Sequence, residues 1–153
     1  MVRIAEVALE ALVQVRQGRD FSPPAQVLNR ITSAKACLDV PELGGSLATY
    51  VLHADYWQSV WLNRLKGLPV SSILSDWRVP GPSEWPLIRI QFLDHLDEAI
   101  SISQAVPLHH NLRDDDMAVD LLLRIAVHDA YHVGQFVLWK RALSKLRPDA
   151  GKI

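Results

Sequence analysis

The chain has 153 residues, 49% of them hydrophobic and 22% charged, with a formal net charge of -1. That is long enough for one domain with a sizeable core, and the composition is ordinary for a globular protein. Basic and acidic side chains are interspersed with no Lys/Arg-rich run, so the electrostatic footprint of a nucleic-acid binder is missing.

No uninterrupted apolar stretch approaches the length of a membrane span. Near the N-terminus Glu6 and Glu10 interrupt the continuous hydrophobic region that a signal peptide needs. Cys37 is the only cysteine, which excludes an internal disulfide and a cysteine-rich metal site. The expectation is a cytoplasmic protein whose partners are neither membrane nor nucleic acid.

Clusters of proline and glycine at 18–24, 40–45, 67–83 and 107–113 divide the chain, and the stretches between them have helical rather than alternating periodicity. The first predicted helix covers 2–17, with Ile4, Ala8, Ala11 and Val15 along one side. The second follows Ser22-Pro23-Pro24, a start signal, and its apolar face is Val27, Ile31, Ala34 and Leu38. The third has Ser46 as N-cap and runs to about residue 66.

The fourth takes Ser83 as N-cap and turns Ile88, Phe92, Leu96, Ala99 and Ile102 inward. The last and longest covers about 115–146, with Asp114, Asp115 and Asp116 at its start and Lys140, Arg141 and Lys145 towards its end, as the helix dipole prefers. Residues 71–77 read as at most one short turn of helix. No strand pattern competes, so the fold class is all-α: a single domain over 1–153, built as an antiparallel helical bundle.

In a helix each residue advances about 100°, so positions three or four apart share a face. On the last helix Leu121, Ile125, His128, His132, Trp139, Leu143 and Leu146 form one stripe, which a bundle must bury. Two histidines therefore interrupt a core-facing row. One turn apart, their Cβ atoms stand roughly 6 Å from each other, near enough for both rings to reach one ion. A protonated pair in an apolar core is costly, and a metal engages neutral imidazoles instead.

The third ligand must come from another helix. Periodicity favours His53 only slightly over His95; His109 and His110 lie in a loop, where histidines are usually solvated. The spacing also invites comparison with the H-E-x-x-H metalloproteases, but Asp129 stands where the base should be, and no further ligand follows.

The stretch AVHDAYHVGQFVLWKRAL (126–143) resembles the H-x-x-x-H-x-G-Q signature of the DinB-like metalloenzyme superfamily, which includes the YfiT-like hydrolases. A second block, SLATYVLHADYWQSVWLNRLKG (46–67), resembles the family's S-I-x-E-x-x-x-H block with a following Trp, although Thr49 stands where the family has Glu. The resemblance covers residues 25–143. It implies an antiparallel four-helix bundle, here with an extra N-terminal helix, and a divalent ion on His53, His128 and His132. It also implies a homodimer.

Three histidines leave coordination positions open, as catalytic sites do. Zinc and nickel suit imidazole best, with iron and manganese as further options. Gln135 lies on the histidine stripe and can hydrogen-bond a bound water or substrate, or another helix. Asp129, off the stripe, either orients a ligand from behind or faces solvent. Tyr131, flanking the pair, is a weaker catalytic candidate and fits packing better. Arg124 can clamp an anionic substrate or keep its head in water. Trp57, Trp61 and Trp139 read as core or pocket wall, with Trp57 also a substrate-binding candidate.

The leading functional expectation is a metal-dependent enzyme acting on a small molecule. The resemblance implies transfer of a low-molecular-weight thiol to an electrophile. A metal-dependent hydrolase and a non-catalytic metal-binding stress protein are the alternatives.

Overall fold

The computed structural model describes residues 4–70 and 76–146. Among them six α-helices are present and no strand: α1 (Ile4–Gln17), α2 (Pro24–Val27), α3 (Ser33–Ala36), α4 (Leu47–Lys66), α5 (Trp85–Gln104) and α6 (Asp115–Lys145). The fold is all-α. Short 3-10 turns at Pro41–Leu43 and Pro82–Glu84 precede α4 and α5. No described helix is long and apolar enough to cross a membrane.

Local chemistry sets both ends of α4. The Ser46 hydroxyl accepts the Thr49 N–H, satisfying one of the helix's free donors. At the other end Gly67 adopts φ 68°, and an added Cβ there would stand 3.1 Å from the Asn111 Cβ. The loop before α6 caps the same helix, because Asn111 donates through its backbone N–H to the Leu65 carbonyl and through Nδ2 to the Lys66 carbonyl. For α6, Asp114 accepts the Met117 N–H at 3.0 Å.

α4 packs against both α5 and α6, and α1 packs against the same two helices. The N-terminal helix is therefore part of the core rather than an addition to it. Its buried row is Ala5, Ala8, Leu12 and Val15, while Ile4 is 61% exposed, so the face is turned from the predicted one. The centre of the molecule is filled by Leu12, Leu62, Phe92, Leu96, Phe136 and Trp139.

Three further predicted features differ. The second predicted helix is two single turns, α2 and α3, because the chain reverses between them with Arg30 at φ 60° and Thr32 accepts the Lys35 N–H to start a new turn. Val27 and Ile31 are buried as expected, but Ala34 and Leu38 are exposed. Ser83 caps nothing: it lies inside a 3-10 turn that runs into α5, and it is Glu84 that accepts the Gly81 N–H and pairs with Arg78.

On α6 the buried face is Leu122, Ile125, Ala126, Asp129, His132, Val133, Phe136, Trp139 and Leu143. It is wider than the predicted stripe and rotated from it, since α1 covers one flank and α4 the other. Leu121 and His128 sit at its edge, and Leu146 is exposed. Of the turn predicted at 71–77, residues 71–75 lie outside the described residues, and Asp76 and Trp77 form a turn.

Candidate metal centre

Three imidazoles meet where α4 crosses α6. His128 and His132 share one edge of α6, and their Nε2 atoms stand 3.1 Å apart. His53 projects from α4, with its ring centroid 5.0 Å from that of His132 and 5.5 Å from that of His128. One ligand atom from each ring lies within 4.8 Å of the other two. His53 and His132 are buried and His128 is half-buried. His95, the rival for the third position, is elsewhere: its Nδ1 is bonded to Asp55 at 2.7 Å. His110 is not solvated as a loop histidine was expected to be, since its side chain is 8% exposed and bonded to Asp115.

The hydrogen bonds around the cluster decide which nitrogens are free. His53 Nδ1 lies 3.2 Å from the Asp76 carbonyl and 3.5 Å from its carboxylate, two acceptors, so it carries the proton and leaves Nε2 bare. Between His128 and His132 one Nε2–H can donate to the other ring. That arrangement leaves a buried N–H on the opposite side of the acceptor ring, and among the described residues neither Nδ1 has a hydrogen-bond partner. A cation facing both Nε2 lone pairs would instead put both hydrogens on Nδ1, towards the nearest buried acceptors. There, His128 faces the Asp129 carboxylate at 3.8 Å. His132 has Gln135 beside it, whose Oε1 is also buried without a partner. The donor set thus fits a divalent ion on its own chemistry.

Electrostatics point the same way. Burial, followed by the neighbouring His128 and His53, pushes His132 down to about 4. Burial also lowers His53, against the opposing pull of Asp76. At neutral pH both rings are neutral, the form that ligates metal. Asp129 is fully buried rather than turned to solvent, and burial pushes its carboxyl up to about 6 against the opposing effects of His128 and Gln58. Gln58 Nε2 donates to it at 2.6 Å.

The remaining predicted site residues are spread around this centre. Gln135 donates to the Tyr131 hydroxyl at 3.1 Å, and Tyr131 is 64% exposed rather than packed. Arg124 points outward and pairs with Asp120. Together with Trp61, Asp120, Leu123, Val127, His128 and Tyr131, it lines a largely apolar cavity of about 620 Å³. Trp57 does not line that cavity; its indole N–H donates to the Asp76 carboxylate.

Three residues at the site have no signal in the sequence. Trp77 stacks on His53 with centroids 3.8 Å apart and planes 15° from parallel, and Asp76 fixes that ring's tautomer. Both come from a Pro/Gly-rich irregular stretch, where no periodicity ties a side chain to a face. Gln58 lies one turn beyond Ala54 on α4, and its polar side chain gave no indication of full burial.

No family model, no curated protein and no solved structure matches this chain.

Proposed function

We propose that this protein is a metal-dependent enzyme of the DinB-like kind, which joins a low-molecular-weight thiol to a small electrophile. The observation that carries this reading is the convergence of three imidazoles from two helices, with one ligand atom from each within 4.8 Å of the other two. On the same reading the long helices α1, α4, α5 and α6 form an antiparallel four-helix bundle, and the protein works as a cytoplasmic homodimer. His53, His128 and His132 hold the ion, zinc or nickel first and iron or manganese next. A divalent ion bound there lowers the pKa of a thiol or water, or polarises a carbonyl.

The protein's own residues supply the rest. Trp77 and the Asp76 carbonyl hold His53 from behind, Asp129 lies behind His128, and Gln135 lies behind His132. The open, largely apolar depression beside His128 gives an electrophile an apolar surface next to the site. Arg124 and Asp120, paired with each other, and Tyr131 also line it. No protein thiol competes for the nucleophile's role. Cys37 lines a different cavity, with Tyr50 and Trp77, and burial pushes its thiol up, away from the reactive form.

The test is turnover by metal-loaded protein with bacillithiol, mycothiol or glutathione and a chromogenic aryl halide. Conjugation that requires both thiol and metal, and is lost in His128→Ala, supports the transferase. Ester or amide hydrolysis without added thiol replaces it with a hydrolase at the same site. Absence of both activities in fully loaded protein overturns the enzymatic reading and leaves a non-catalytic metal-binding protein.

A further inference from the structure

A second cavity lies away from the histidines, between α6 and the segment that reverses the chain before α3. Its volume is about 480 Å³, within the range of small-molecule sites. Arg30, Lys35 and Lys140 line it, together with the neutral donors Gln26, Asn29 and Ser144, over a floor of Ile31 and Leu143. Among the described residues no carboxylate lines it. Some other cations face acids, as Arg16 does Asp97 and Arg78 does Glu84, while Arg64, Arg89 and Arg141 have no ion pair among the described residues; what sets this cavity apart is that three cations share one lining. Among the described residues none of the three cavity cations has an acidic partner. Lys140 is held over the opening by a 2.7 Å bond to the Gln26 carbonyl. The partial negative charge at the end of α6 accounts for Lys140. It does not account for Arg30, in the turn before α3, or for Lys35, within α3.

Arg30 adds an independent sign. It is the one non-glycine residue at positive φ among the described residues, at 60°. Glycine or asparagine adopts that backbone without strain, and Asn29 stands one position too early to serve. The strain is held in place by burial of Leu28 and Ile31 on either side and by the Trp85 indole, which donates to the Ile31 carbonyl at 2.9 Å. An arginine kept where its backbone is disfavoured points to a use for its side chain.

We propose that this cavity binds a phosphate monoester, through Arg30, Lys35 and Lys140. Such a group carries about -1.5 to -2 charges at pH 7 and three acceptor oxygens. The guanidinium offers a fork to two of those oxygens, and the two ammonium groups complete the charge balance. The Ile31 and Leu143 floor receives the organic part of the ligand.

Binding is measured by titrating the whole chain with phenyl phosphate, inorganic phosphate or phenol, following amide shifts at Ile31 and Leu143. Co-sedimentation with phosphatidic acid vesicles, against phosphatidylcholine, tests a lipid as the source of the monoester. The expected result is saturable binding of phenyl phosphate and none of phenol, weakened at least about 10-fold in Arg30→Gly and in Lys35→Gln. Arg30→Gly is expected to melt at or above the wild-type temperature, because glycine relieves the backbone. Vesicle binding lost in the same two variants supports the phosphate chemistry and assigns it to a lipid headgroup. No saturable binding of any phosphate probe, or binding unchanged in both variants, overturns the proposal. So does an Arg30→Gly protein that fails to fold, since it makes Arg30 a structural residue.

Discussion

A carboxyl group withdrawn from water is expensive unless something donates to it, and Asp129 depends on Gln58 for that. Gln58→Leu leaves the Asp129 Oδ2 atom buried without its donor, and is expected to lower unfolding stability by about 1–3 kcal/mol in urea titrations. Its helix neighbour Asp55 holds His95 through a 2.7 Å bond that raises the imidazole above its ordinary value, against the opposing effect of burial. With the folded value above the unfolded one, the pair's stabilisation is fully present below about pH 6.5 and is lost as pH rises through the raised value. NMR titration of His95 is expected to show that raised midpoint and to show it fall in Asp55→Asn. An unchanged midpoint in the variant would mean that Asp55 is not its cause. The two clustered histidines of α6 were visible in the sequence because a polar pair broke an apolar row. The burial of Asp129, a candidate in the sequence, and of Gln58 was not, because a buried polar side chain looks the same in sequence as an exposed one until its partner helix is placed.

The ends of the helices were legible where a capping side chain or glycine has one clear job. Ser46 after two glycines and Gly67 before a proline-containing loop fix α4 at both ends as read. Ser46→Ala is expected to cost about 1 kcal/mol of stability by thermal or urea unfolding. The segment 25–38 was misread because its apolar spacing suits a helix, whereas Thr32 offers a competing local cap and Arg30 reverses the backbone. Ser83 failed for a similar reason: Glu84, two residues before Pro86, secures the turn through Arg78 and the Gly81 N–H. Periodicity names a face, but the width of that face depends on how many neighbours a helix has. α6 packs on α1 and α4 and also touches α5, so residues adjacent to the predicted stripe are buried with it.

At the scale of the whole molecule, the crossing of α4 and α6 turns three separate histidines into one centre. Sequence spacing related two of these histidines to each other, while the resemblance supplied His53, and the packing of α4 on α6 brings all three together. The short segment before α5 closes the site from outside with Asp76 and Trp77. The measurement that tests this account most directly is metal content by plasma mass spectrometry on untagged protein, alongside His53→Ala, His128→Ala and His132→Ala variants checked for helicity. The account predicts about one equivalent of one divalent metal in the wild type, lost in each folded variant. A wild-type protein that carries no metal and cannot be loaded with zinc, nickel, iron or manganese would contradict it, leaving a helical protein with a histidine-lined core.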